Sequence, residues 1–107
     1  LKNITTKQEF EAEIGGGKGK AVLFYSAYCP FCQSFLPEFE ACAAKKPGVL
    51  AKVCTDDLTE LEDTFAVEVV PSVLYFKGGK LTRRLDGVLG VGLTEKKLAE
   101  FLQACGA

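Results

Sequence analysis

The sequence predicts an α/β domain with a mixed sheet of four to five strands flanked by about four helices. Three observations carry this. Helix-like and strand-like apolar periods alternate along the chain. The run Ala21-Val22-Leu23-Phe24-Tyr25 is apolar throughout, as a strand covered on both faces must be. Gly78-Gly79 separates two short strand-like runs, the signature of a hairpin. The chain has 107 residues, enough for one domain with a core that needs no metal or disulfide staple, so residues 1–107 are read as a single domain.

The elements follow in order. Thr6 with Glu9 three residues on is a capping-box pattern, and Phe10 and Ile14 share a face, which predicts a first helix over about Lys7 to Ile14. Gly15 to Gly19 reads as a loop, and Ala21 to Tyr25 as the buried strand. Cys32, Phe35, Leu36, Phe39, Cys42 and Ala43 recur at helical spacing, so a long helix follows at once, with Pro37 inside it as a kink. Val49 to Thr55 reads as a strand, and Leu58, Leu61 and Phe65 as the apolar face of a short helix. Val73 to Phe76 and Lys80 to Leu85 form the hairpin, the latter with Leu81, Arg83 and Leu85 on one face and Thr82 and Arg84 on the other. Thr94 caps a last helix whose apolar face holds Leu98, Phe101, Leu102 and Cys105. The predicted order is helix, strand, helix, strand, helix, hairpin, helix.

Composition narrows the functional classes. A net charge of −1 argues against a nucleic-acid or anionic-membrane binder, since both need a basic surplus. No apolar run approaches the roughly 18 residues of a membrane span. The chain starts at Leu1 and contains no Met, so its native start is expected upstream. The five cysteines, an odd number, lean toward a reducing and hence cytoplasmic setting. With no His present, Cys–His and Ser–His catalysis and mixed Cys/His zinc sites are excluded.

The chemistry-bearing motif is Cys29-Pro30-Phe31-Cys32. Two cysteines at this spacing arise by chance about one time in five in such a chain, so the pattern alone is weak. Its place, where a buried strand turns into a long helix, is the stronger signal. Pro30 suits the first helical position, which needs no backbone donor. Cys29 then falls at the cap, where a thiolate can accept from the N–H groups of Phe31 and Cys32 and gains from the helix dipole. Both effects predict a lowered pKa and a nucleophilic sulfur. Cys32, one turn deeper, can attack Cys29 once a mixed disulfide forms. A packing pair or half a metal site is the alternative; Cys42, Cys54 and Cys105 supply no second closely spaced pair for a metal.

Over nearly its whole length the sequence resembles the thioredoxin family. The resemblance rests on Tyr28-Cys29-Pro30-Phe31-Cys32, on Pro37 eight residues past the first cysteine, on Val70-Pro71-Ser72 followed by Val73-Leu74-Tyr75-Phe76, on Lys77-Gly78-Gly79, and on Gly87 after the last strand. It implies a thioredoxin fold, thiol–disulfide exchange with protein substrates, a thioredoxin-reductase-like electron donor, no bound cofactor and a monomer. It also implies a cis Pro71 facing the cysteines, a Val70 backbone free to pair with an extended substrate, and substrate contacts from Tyr28, Pro30, Phe31, Val70, Pro71 and Gly87.

Three departures stand out. The central dipeptide is Pro-Phe, where typical thioredoxins have Gly-Pro and glutaredoxins Pro-Tyr. Leu23 stands where the family often has a buried Asp, so release would rely on water or another base; Lys52, that residue's usual neighbour, is kept. Tyr25 and Tyr28 replace tryptophans. The Pro-Phe pair predicts a potential less reducing than thioredoxin's value near −270 mV. Glutaredoxin-like use of glutathione ranks lower, because Val70 and Ser72 offer no cationic clamp. A binding module or cluster holder is the remaining alternative.

Cys42, Cys54 and Cys105 read as buried small hydrophobes, with a regulatory disulfide most plausible for Cys105. Asp56, Asp57, Glu60, Glu62 and Asp63 read as a solvated helix start. Val88 to Leu93 is a lengthened, glycine-rich apolar loop with no assigned role.

Overall fold

A computed structural model describes residues 1–107. Its elements are β1 (Lys2–Ile4), α1 (Lys7–Ile14), β2 (Lys20–Tyr25), α2 (Pro30–Lys45), β3 (Leu50–Cys54), α3 (Glu60–Thr64), β4 (Ser72–Lys77), β5 (Lys80–Leu85) and α4 (Glu95–Cys105). The five strands form one sheet in the order β1-β3-β2-β4-β5. β1 and β2 run parallel to β3, and β4 runs antiparallel to both β2 and β5.

Period-two alternation shares the central strands between two cores. Val22 and Phe24 of β2 and Leu74 and Phe76 of β4 face one side, where α1 adds Phe10 and Ile14 and α3 adds Leu61. Ala21, Leu23, Val73 and Tyr75 face the other, under Phe35 and Phe39 of α2 and Leu98 and Leu102 of α4. Covering both faces explains why β2 shows no polar alternation. Four phenylalanines fill the first core: Phe10, Phe24, Phe65 and Phe76 meet mostly edge to face, with centroids 5.2–6.2 Å apart. Caps fall where the sequence placed them. The Thr6 hydroxyl accepts from the Glu9 N–H at 3.1 Å, and the Thr94 hydroxyl from the Lys97 N–H at 3.2 Å.

Three expectations are corrected. β1 precedes the first helix; a three-residue strand with one apolar side chain, Ile4, is too short to show a period. α3 is confined to Glu60–Thr64, so Leu58 and Phe65 flank it, although both pack on the same core. In β5, Tyr75 pairs with Arg83 but Phe76 with Leu81, which leaves Thr82 as a bulge. The extra residue flips the alternation. Leu81 therefore packs on the α1 side and Leu85 on the α2 side, not on one face together. The hairpin turn itself is as expected: Gly78 and Gly79 both take positive φ (60° and 81°), the backbone a two-residue turn between twisted strands requires. α2 runs through Pro37 as one helix.

The register brings the end of β2, the end of β3 and the start of β4 to one edge of the molecule. Tyr25 lies opposite Cys54, and Phe24 opposite Ser72. α2 begins at that edge.

Candidate active site

Cys29 is the N-cap of α2, with extended backbone (φ −94°, ψ 118°), and Pro30 opens the helix. The predicted capping bonds from the Phe31 and Cys32 amides to the sulfur are absent. Instead the Cys29 thiol donates to the Val70 carbonyl at 3.7 Å. A protonated thiol is a donor and turns to an acceptor; only the ionised sulfur could take the acceptor role at the cap. Cys29 is half-buried.

Cys32 sits one turn deeper and is fully buried. Its sulfur accepts from the Ser26 N–H at 3.5 Å and lies against the Cys29 thiol. Burial pushes the Cys32 thiol up to about 12; the Ser26 N–H opposes this, and the neighbouring Cys29 and Asp56 add to it. The two sulfurs thus occupy unlike environments, one at the surface and one beneath it.

The cis-proline segment closes the other side. The Val70–Pro71 bond is cis. Ser72, fully buried, donates to the Val69 carbonyl and accepts from the Gly87 N–H at 3.1 Å. Gly87 is needed for contact: a Cβ there would lie 2.2 Å from the Pro71 carbonyl oxygen. The Val70 N–H has no partner within the chain.

Of the predicted site residues, Cys29, Cys32, Val70, Pro71 and Gly87 converge on this edge. Phe31 is partly exposed beside them, and Tyr28 is 86% exposed. Pro30 is exposed at the helix start. Leu23 is fully buried in the apolar core, opposite Lys52 in the sheet register, so this position offers no carboxylate. The Lys52 ammonium lies 5.7 Å from the centre of the Tyr25 ring.

Asp56 was missed as a site residue. It does not belong to the helix start of α3. Its carboxylate accepts from the Ser26 hydroxyl (3.0 and 3.1 Å), the Ala27 N–H (3.0 Å) and the Cys54 thiol (3.4 Å). The Ala27 bond, the largest of several causes, lowers the Asp56 pKa. Gln33 holds the same loop by donating to the Ala27 carbonyl at 3.0 Å. The register was the available signal: Cys54 opposite Tyr25 places Asp56 opposite the loop that enters α2. Cys54 is buried as expected. Cys42 and Cys105 are only half-buried against the α2–α4 core, because both lie at the margin of their helix faces.

Comparison with known proteins agrees with this geometry. The thioredoxin family model matches residues 2–104. The chain is 33% identical over 101 residues to the thioredoxin of Alicyclobacillus acidocaldarius, covering 92% of this chain and 95% of that one. It is 35% identical over 89 residues to protein disulfide-isomerase 1 of Caenorhabditis elegans, covering 78% of this chain but only 18% of that protein's length. The X-ray structure of Fasciola hepatica thioredoxin superposes with a TM-score of 0.85 at 28% identity, over 97% of this chain and 98% of that one. The family model spans the strand-to-helix dithiol and the cis-proline beside it, so the chain belongs to the thioredoxin family.

Proposed function

We propose that residues 1–107 act as one domain that exchanges disulfides with protein substrates, with Cys29 attacking and Cys32 resolving. The observation that carries this is the unlike placement of the two sulfurs, Cys29 reachable at the head of α2 and Cys32 sealed beneath it. The Cys29 thiolate attacks one substrate sulfur; a Cys29–substrate disulfide forms and the other substrate sulfur leaves as a thiolate. The Cys32 thiolate then attacks the Cys29 sulfur. This forms the Cys29–Cys32 disulfide and releases the second substrate sulfur, which takes up a proton. Two electrons and two protons from a thioredoxin-reductase-like donor restore the dithiol.

The free Val70 N–H and its carbonyl support pairing with an extended substrate strand beside Pro71. Tyr28, Pro30 and Phe31 line one side of that path, and Gly87 lets the Pro71 segment pack closely enough to hold it. The odd number of cysteines supports a reducing, cytoplasmic setting. A second reading, a domain of a larger disulfide isomerase, is favoured by the match to protein disulfide-isomerase 1, of which this chain spans less than a fifth. Equilibration with glutathione separates the two. A value between about −270 and −200 mV fits a reductase with the shift predicted from Pro-Phe, a value at or below about −270 mV contradicts that shift, and a value near −180 mV fits the isomerase reading.

Insulin-disulfide reduction tests the roles. The Cys29→Ser variant should be inactive, and the Cys32→Ser variant should accumulate a mixed disulfide. Equal activity of the Cys29→Ser variant and the unaltered protein would rule the assignment out.

A further inference from the structure

Large apolar side chains left in water are unevenly placed on this molecule. Six are exposed: Leu1, Tyr28, Phe31, Val88, Leu89 and Val91. Leu1 precedes β1 at the far edge of the sheet. The other five come from two segments only, Tyr28–Cys32 and the turn between β5 and α4.

That turn is built, not loose. The Val88 N–H donates to the Gly92 carbonyl at 3.2 Å, and the Val91 and Gly92 N–H groups donate back to the Val88 carbonyl at 2.9 and 2.8 Å. Positive φ at Gly90 (77°) and Gly92 (81°) makes this closure possible. Both ends rest on the active site. Gly87 lies against the Pro71 carbonyl, and Gly92 packs so closely on Phe31 that a Cβ there would lie 2.9 Å from the Phe31 Cβ. Leu89, at 85% exposure, and Val91, at 60%, project from a turn pinned beside the reactive sulfur.

Charge is missing from both segments. From Gly87 to Leu93 and from Ala27 to Gln33 there is no ionisable side chain except Tyr28 and the two cysteines. The carboxylates that border this surface are already engaged, Asp56 by Ser26, Ala27 and the Cys54 thiol and Asp86 by Arg84. A charged group brought against the apolar turn therefore loses water with little in return, whereas an apolar one is freed from water.

We propose that the Val88–Gly92 turn, together with Tyr28 and Phe31, is a selectivity lip that favours protein disulfides whose reacting cysteine is flanked by an apolar side chain and disfavours charged flanks. The proposal rests on the exchange reaction at Cys29, because that reaction is what seats a substrate across the lip. Selection works on both sides: contact with Leu89 and Val91 attracts, and desolvation without a partner repels. The turn's own hydrogen bonds fix the lip in advance, so little ordering is needed on contact.

The test uses disulfide-bonded peptides identical except for Leu, Lys or Asp beside the reacting cysteine. The rate constant for each is divided by that for bis(2-hydroxyethyl) disulfide measured on the same protein. The unaltered protein should favour Leu over Asp and over Lys by roughly tenfold, the scale of half-burying one or two such side chains. In the Leu89→Ser/Val91→Ser variant, whose changes lie at exposed positions and should leave its circular dichroism unaltered, the preference should shrink to about twofold. Equal normalised rates on the unaltered protein, or an undiminished preference in the variant, overturn the lip while leaving the exchange reaction intact. Failure of the unaltered protein to reduce the hydroxyethyl disulfide at all would overturn the exchange reading, and the lip with it.

Discussion

Resolution by Cys32 should be limited by the burial of its own thiol. An unburied thiol ionises near 9, whereas this one is pushed up to about 12. At pH 7 only about one Cys32 in 10⁵ then carries a thiolate, against about one in 10² for an unburied thiol. Burial is the largest cause and persists when Cys29 is tied to a substrate, and the Ser26 N–H offsets it only in part. Since the thiolate is the attacking species, the rate of resolution should rise about tenfold per pH unit from about pH 7 to about pH 10. Rapid mixing of the reduced protein with an excess of an aromatic disulfide resolves the two steps. A first burst of coloured thiol reports attack by Cys29, and a second release reports attack by Cys32. A second phase that levels off below about pH 9 would refute the reasoning. It would mean that Cys32 ionises well below the value its burial dictates.

Two further outcomes follow from the same contacts. Because the folded protein holds Cys32 protonated beyond the value of the unfolded chain, the stability this confers is intact below about pH 9 and is lost as pH rises from there toward about 12; urea unfolding of the reduced protein should show the decline, and Cys32→Ala should flatten it. Gly87→Ala forces a Cβ against the Pro71 carbonyl and should cost about 1–3 kcal/mol in denaturant unfolding while lowering insulin reduction, since the segment beside Cys29 must move.

Much of this architecture is legible in the sequence, for reasons particular to each segment. The apolar run of β2, the helical spacing from Cys32 to Ala43 and the Gly78-Gly79 turn are long or chemically explicit signals. Cys29 and Cys32 stand out because of where they fall between β2 and α2. What stays hidden depends on pairing partners. Ile4 alone cannot announce β1, and nothing in Lys80 to Leu85 says that Thr82 is passed over when β5 pairs with β4. Asp56 looks like one more acidic residue until the β2–β3 register sets it beside Ser26. The direction of the Cys29 thiol depends on its proton, which no sequence pattern encodes.

The bulge at Thr82 has a consequence for how this protein behaves at high concentration. β5 is an outer strand, and its free hydrogen-bonding rim is where a neighbouring chain could add on. An irregular backbone step there, with Lys80 and Arg83 pointing into solvent, spoils that template. At the opposite rim β1 offers only three residues. With both rims blunted, the sheet offers a neighbouring chain little regular backbone to pair with, even though apolar side chains stand bare beside the reactive sulfur.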